Sequence, residues 1–160
     1  MDNSRLIYLH GLVSDSNSSK ARVFRELFPG MLTPDFTGSF EARMTQLNPI
    51  LADKNNWSLI GSSFGGLMGT VFTCKHPTQV RKLVLLAPAL LPDQFGSYLD
   101  FEPVSVPTVI VHGSLDDIVP LEPVRGIVRK LFTDLTYHVV EDDHRLHKSI
   151  NELDWKSILE

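Results

Sequence analysis

The chain has 160 residues, of which 42% are hydrophobic and 21% charged, and its formal net charge is −4. We expect a single domain over residues 1–160, because domains of this size are common and can bury a real core. The composition excludes a disordered chain, a coiled coil and a collagen-like repeat. The 15 Lys and Arg residues are scattered rather than gathered on one face, which argues against nucleic-acid binding.

Segments suited to a membrane or to extracellular conditions are not expected. The longest apolar stretch, 83–91, contains Pro88 and is far shorter than the ~18–20 residues that span a bilayer. Residues 1–5 lack the features of a signal peptide. The single cysteine, Cys74, excludes an internal disulfide and a cysteine-ligated zinc site. We therefore expect a cytoplasmic protein with no membrane partner.

Apolar runs typical of strands alternate along the chain with segments typical of helices. The predicted strands are 6–9, 31–33 (a short strand at best), 57–60, 82–86, 108–111 and 136–140. The predicted helices are 19–28, 40–53, 63–75, 121–132 and 144–159. This alternation predicts the α/β class: a doubly wound, mostly parallel six-stranded sheet with helices on both faces. Ligands of such sheets bind beyond the carboxyl ends of the strands.

A G-x-S-x-G motif follows the strand predicted at 57–60. It reads Gly61-Ser62-Ser63-Phe64-Gly65 and lies between a predicted strand and a predicted helix. Glycines two residues either side of the serine allow a tight turn, and backbone N–H groups at the helix start can bind an oxyanion. Ser63 is central in the motif and Ser62 occupies its variable position, so Ser63 is the preferred nucleophile. The alternative is a Gly/Ser-rich turn without chemistry.

A serine nucleophile requires a base and an acid that orients it. Among six histidines, His144 follows the last predicted strand and is the preferred base. The acid is Asp116 or its neighbour Asp117, with Asp116 preferred. The acidic run 141–143 is interpreted as a solvated turn or a helix cap. His144 and His147 have a spacing that metal sites also use, but no further residues complete a ligand set, so no metal is expected.

At this point the sequence resembles the α/β-hydrolase superfamily over nearly its whole length, and its small, lidless serine esterases in particular. The segments that carry the resemblance are 6–11, 61–65, 109–113 with Asp116, and 143–146. The resemblance implies catalysis by Ser63, Asp116 and His144 without a cofactor. It also implies that the backbone N–H groups of Leu12 and Phe64 form the oxyanion hole.

Two features depart from the family. Only five residues precede the first predicted strand, so the family's usual first two strands are missing. Residues 87–105 are too few for a lid domain and are interpreted as a short flap. Leu90, Phe95 and Tyr98 in this flap are the candidate substrate-binding residues that line an acyl pocket; the alternative is ordinary core packing.

The leading functional hypothesis is a serine hydrolase that cleaves small carboxylic esters or thioesters through an acyl-enzyme. A serine at the motif centre argues against the family's aspartate- and cysteine-dependent members. The expected partner is a small acyl substrate, and the oligomeric state is left open. The alternative is a hydrolase-fold protein that binds a ligand or partner with little or no turnover.

Overall fold

Five strands form one parallel sheet in the computed structural model, which describes residues 2–160. The strands are β1 (Leu6–Leu9), β2 (Trp57–Ser62), β3 (Val80–Leu86), β4 (Thr108–Gly113) and β5 (Leu135–Val140). They lie side by side in chain order, and every neighbouring pair is parallel. The predicted α/β class with a parallel sheet is confirmed. All five strands end at the same edge, where the loops that follow them meet.

The sixth strand predicted at 31–33 is reduced to one residue, so the predicted count of six is wrong. Leu32 forms an isolated parallel bridge with Ile7, on the opposite side of β1 from β2. Gly30 has a φ of 91° and Pro34 has no N–H to donate, so the chain between them is too short to continue the ladder. After β1 the chain first pairs with one side of β1, at Leu32, and then forms β2 on the other side. The topological switch point therefore lies between β1 and β2.

Helices cover both faces of the sheet, as predicted. They are α1 (Ser19–Leu27), α2 (Phe40–Leu51), α3 (Phe64–Lys75), α4 (Pro92–Phe95), α5 (Leu121–Leu131), α6 (Ser149–Glu152) and α7 (Trp155–Leu159). One buried cluster joins α2, α3 and α5 to strand residues such as Ile7, and the other joins α1, α6 and α7 to the alternate residues such as Tyr8. Within residues 2–160, no helix combines the length and apolarity needed to cross a membrane.

The single helix predicted at 144–159 is wrong, because the structure has two short helices there. The Asp142 side chain accepts the N–H groups of Lys148 and Ser149, so the first of them, α6, begins only at Ser149. The Asp154 side chain accepts the N–H of Ser157 and begins α7. Side-chain oxygens that bind free N–H groups in this way define helix starts. His144 consequently lies in a loop directly after β5, and not on a helix.

Candidate active site

The turn between β2 and α3 holds Ser63 in a strained conformation. Its φ of 52° and ψ of −114° lie outside the regions that side chains prefer, at a cost of about 1–3 kcal/mol. A Cβ on Gly61 would lie 2.5 Å from the carbonyl oxygen of Gly65, and one on Gly65 would overlap the carbonyl of Leu9. Both positions therefore require glycine, and the turn presents Ser63 at the amino end of α3.

Ser63, His144 and Asp116 form a hydrogen-bonded row across the carboxyl edge of the sheet. The distance from His144 Nε2 to Ser63 Oγ is 3.0 Å, and that from His144 Nδ1 to Asp116 Oδ2 is 2.8 Å. With the carboxylate accepting the Nδ1–H, Nε2 is left to accept the serine hydroxyl proton. The Asp116 side chain is 1% exposed and that of His144 is 15% exposed, so solvent reaches the row from the histidine side. Asp117 is exposed outside the row.

The carboxylate of Asp116 is held on both oxygens. Its Oδ1 accepts the N–H groups of Ile118 at 2.9 Å and Val119 at 2.8 Å. Its Oδ2 lies 3.3 Å from Nε2 of His112, which donates to the Val119 carbonyl at 3.0 Å. The Tyr137 hydroxyl donates to the other nitrogen of His112, and burial lowers the pKa of His112. His112 and His144 thus both contact Oδ2 of Asp116, His144 at the shorter distance.

A second buried carboxylate, Asp142, organises the loop that carries His144. Its Oδ2 accepts the N–H of Lys148 (3.1 Å) and both the N–H (2.7 Å) and the hydroxyl (2.8 Å) of Ser149, and its Oδ1 accepts the N–H of Asp143 (2.8 Å). Burial raises the pKa of Asp142, but the hydrogen bonds from Ser149, Asp143 and Lys148 outweigh it, and the pKa lies below its ordinary value. Of the two interpretations of the run 141–143, the solvated turn is wrong for Asp142, which is 7% exposed, and the helix cap agrees with its contacts at the start of α6.

The turn after β1 lies beside Ser63. A Cβ on Gly11 would be 3.6 Å from the Ser63 Cβ, and neither Leu12 N–H nor Phe64 N–H meets an acceptor among residues 2–160. The ring of His10 fixes this turn, because it accepts the N–H of Phe36 at Nε2 (2.9 Å) and donates from Nδ1 to the carbonyl of Gly11 (2.7 Å). Two unpaired backbone donors, one from each loop, are therefore available near the serine.

The three candidate substrate-binding residues lie in different surroundings. Leu90 is 0% exposed and belongs to the core, so its side chain does not reach the surface of the site. Phe95, at the end of α4, packs edge-on against the ring of Phe64 at 5.7 Å, and Tyr98 packs against Phe40 at 4.3 Å. The flap therefore covers the aromatic rings next to Ser63 without enclosing the row.

Exposed apolar side chains flank the row on the loops after β1 and β4. Leu12 is 56% exposed and Val13 95%, while on the other loop Leu115 is 63% and Ile118 65% exposed. Single exposed apolar residues are common, but these four account for most of the large exposed apolar side chains and lie at one edge of the sheet. We call these four residues the apolar rim.

Sequence reasoning missed one buried residue beside the site. Arg43 is 4% exposed, although an arginine in a predicted amphipathic helix normally lies in solvent. Its burial depends on the loops that follow β1 and β2, and no local pattern indicates it.

His147 is exposed and its Nδ1 lies 2.9 Å from Asp143 Oδ2. In the described part of the chain, no three His, Cys, Asp or Glu side chains are grouped to hold a metal ion.

Comparison with solved structures shows the same fold in known hydrolases. A mouse protein, α/β hydrolase domain-containing protein 10, superposes with a TM-score of 0.77 and 19% identity over 96% of this chain and 87% of its own. A monoacylglycerol lipase from Paleococcus ferrophilus gives 0.78 and 16%, over 96% and 91%. A thioesterase domain from the curacin biosynthetic pathway gives 0.76 and 12%, over 96% and 90%. The predicted resemblance to the α/β-hydrolase superfamily is confirmed at the level of the fold.

Comparison by sequence gives a family. No curated protein matches the chain. The sequence model of the uncharacterised protein family UPF0227 matches residues 5–108, which include the turn after β1 and the G-x-S-x-G motif but end before Asp116 and His144. With its parallel sheet, its strained serine turn and this match over more than half of its length, the chain belongs to the family UPF0227 and has the α/β-hydrolase fold.

Proposed function

We propose that the protein is a serine hydrolase that cleaves small carboxylic esters or thioesters through an acyl-enzyme. The observation that carries the proposal is the row of Ser63, His144 and Asp116, with contacts of 3.0 and 2.8 Å in the order that nucleophilic catalysis requires. A base that already contacts the hydroxyl, and an acid that fixes the base's tautomer, are arranged for proton transfer and have no evident use in a protein that only binds.

Acylation begins when Ser63 Oγ attacks the carbonyl carbon of the substrate. His144 takes the hydroxyl proton at Nε2, and Asp116 stabilises the resulting imidazolium through the Nδ1–H. The carbonyl oxygen becomes an oxyanion and accepts the N–H groups of Leu12 and Phe64. The carbon–oxygen or carbon–sulfur bond of the leaving group then breaks, and the leaving group receives the proton from His144.

Deacylation repeats these steps with water as the nucleophile. His144 removes a proton from water, the hydroxide attacks the acyl carbonyl, and the same two N–H groups stabilise the second oxyanion. The bond to Ser63 Oγ breaks and the serine recovers its proton from His144. The products are the free acid and the alcohol or thiol, and the scheme uses no cofactor.

The surroundings of the row support an apolar acyl or leaving group of modest size. The apolar rim offers hydrocarbon surface on both sides of the serine, and Phe95 lies against Phe64 without closing over it. Ester- and thioester-cleaving proteins share the fold, which is compatible with either leaving-group atom. Phe95 and Tyr98 remain the proposed acyl-contacting residues of the flap, and Leu90 acts behind them as core.

A fluorophosphonate probe tests the proposal, because such a reagent labels serines that are activated by a base. We expect an adduct on Ser63, mapped by mass spectrometry, that is lost in Ser63→Ala and in His144→Ala. Ser62→Ala is the matched control, since its hydroxyl is adjacent and buried but outside the row, and it should label like the unmodified protein. Hydrolysis of short p-nitrophenyl esters and acyl thioesters should follow the same pattern.

Two results contradict the proposal. One is a folded protein that neither labels nor hydrolyses any member of the ester and thioester panel, which favours a binding protein on a hydrolase scaffold. The other is a Ser63→Ala variant with undiminished activity in pure protein, which assigns the chemistry to another group.

A further inference from the structure

A buried arginine on α2 contacts both residues that supply the proposed oxyanion donors, Leu12 in the turn after β1 and Phe64 at the start of α3. Arg43 donates from Nη2 to the carbonyl of Leu12 at 3.2 Å and from Nε to the carbonyl of Gly38 at 3.1 Å. Its guanidinium also lies over the ring of Phe64, 5.3 Å from the centroid. The N–H groups of Leu12 and Phe64 are the proposed oxyanion donors, so one side chain contacts both residues that supply them.

The charge of this arginine has no counter-ion. Within residues 2–160, no carboxylate lies in ion-pair range of Arg43, and its Nη1 is buried with no acceptor among the protein atoms. Burial lowers the pKa of Arg43, but a guanidinium remains protonated at neutral pH. An unpaired buried cation is unfavourable, since protein interiors normally pair or neutralise such charges. A negative charge that forms near Arg43 only during the reaction would offset this unfavourable free energy.

The proposed reaction forms such a charge at the two residues that Arg43 contacts, Leu12 and Phe64. The carbonyl oxygen of the substrate is neutral before attack and becomes an oxyanion afterwards, between the N–H groups of Leu12 and Phe64. A fixed cation in a medium of low dielectric constant stabilises the charged state far more than the neutral one. A group that discriminates between these two states accelerates the reaction without tightening substrate binding.

We propose that Arg43 is a positioning residue of the oxyanion hole, which fixes the Leu12 turn against Phe64 and supplies the positive field in which the oxyanion forms. The inference rests on the proposed function. Arg43 acts through Leu12 and Phe64 and from a distance, and it does not touch the substrate. An anionic group on the substrate is the competing partner for this cation, and the test separates the two.

The experiment compares Arg43→Met and Arg43→Lys with a matched control. Methionine retains the apolar stem and removes the charge and the donors, whereas lysine retains the charge. Arg129→Met on the exposed side of α5 is the control for removal of one arginine from a helix surface. With p-nitrophenyl acetate, a neutral ester, we expect Arg43→Met to lower kcat about 100-fold with KM changed less than about threefold. That loss equals about 2.7 kcal/mol of transition-state stabilisation. Arg43→Lys should recover part of it.

A second readout responds to the field itself and not to general disorder of the fold. A trifluoromethyl ketone adds Ser63 Oγ to its carbonyl and forms a hemiketal whose ionisation can be followed by ¹⁹F NMR against pH. We expect the hemiketal in Arg43→Met to ionise at a pH higher by about 1–2 units, and that in Arg43→Lys to shift less. If Arg43→Met fails to fold, Arg43→Gln, which also removes the charge but keeps hydrogen-bond donors, gives both measurements.

The outcomes are separable. If the unmodified protein neither labels at Ser63 nor hydrolyses esters, the proposed function fails. If it does both and Arg43→Met matches Arg129→Met in kcat and in hemiketal ionisation, the proposal for Arg43 alone is refuted. A loss confined to KM, and only for esters that bear a carboxylate, also refutes it and assigns Arg43 to substrate binding.

Discussion

Replacement of Asp142 by asparagine tests whether a buried carboxylate holds the histidine loop. Asparagine has the same shape, and its single oxygen can still face the donors of Lys148 and Ser149. Its amide N–H₂ then faces the N–H of Asp143, so that hydrogen bond is lost. The remaining hydrogen bonds then go to a neutral amide oxygen instead of a charged carboxylate. A hydrogen bond to a charged group contributes about 1.5–3 kcal/mol to stability, against about 0.5–1.5 kcal/mol for a neutral one.

At these figures the losses come to about 4–6 kcal/mol, and the lower desolvation cost of a neutral amide offsets about half, which leaves about 2–3 kcal/mol at pH 7. For a chain of this size each kcal/mol corresponds to about 2–4 °C, so Tm should fall by roughly 5–10 °C. The loss should depend on pH. Because the pKa of Asp142 in the folded protein lies below 3.8, the stability it provides is present above that value and is lost as the pH falls through the folded pKa. The difference between the two proteins should therefore begin to shrink as the pH falls to about 3.8 and should continue to shrink below it.

The assay is urea denaturation together with thermal melting, at several pH values. Asp143→Asn is the matched control: that carboxylate is adjacent, but its side chain is 49% exposed, and its pair with His147 contributes about 0–1 kcal/mol. The reasoning is refuted if Asp142→Asn melts within about 1 °C of the unmodified protein at pH 7. It is also refuted if the difference between them is as large at pH 3.5 as at pH 7.

Two further predictions use matched pairs of residues. Asp116→Asn should lower kcat for ester hydrolysis by roughly 10³–10⁴-fold, because the amide cannot hold the tautomer that the base needs, whereas Asp117→Asn should change kcat less than about twofold. Gly65→Ala should prevent folding or lower the free energy of unfolding, measured by urea denaturation, by about 3 kcal/mol or more. The reason is that the added Cβ overlaps the backbone of β1. Gly126→Ala, in α5 with nothing within 4 Å of the added Cβ, should stabilise the protein by about 0.5–1 kcal/mol in the same measurement.

The parts of the fold that could be predicted are those encoded locally. Unbroken apolar runs at 83–86 and 109–111 indicated β3 and β4, because these residues are buried on both faces of the sheet. Gly61 and Gly65 indicated the tight turn because only a residue without a Cβ fits at these two positions. The end of the chain was predicted wrongly, since its helical periodicity continues from 144 to 159 while the caps at Asp142 and Asp154 divide it. Capping depends on where a side chain points, which periodicity does not encode.

Within the site, chain order and strand ends indicated which residues come together, and contacts across the fold determined the rest. His144 and Asp116 follow two neighbouring strands, β5 and β4, so the topology brings them to one edge. Arg43 could not be predicted in the same way. Its surroundings come from Leu12 and Phe64, 31 and 21 positions away in the chain, and only the folded arrangement puts their loops over one helix.

Several polar side chains are buried near the carboxyl edge of the sheet. Each residue of the row lies in the segment that follows one of the strands β2, β4 and β5. The conformation of these segments depends on internal hydrogen bonds: His10 for the turn after β1, His112 for the acid and Asp142 for the histidine loop. Each is at most 7% exposed. Buried polar groups are unfavourable unless they are paired, so these three well-paired groups hold the loops that carry the row in one arrangement.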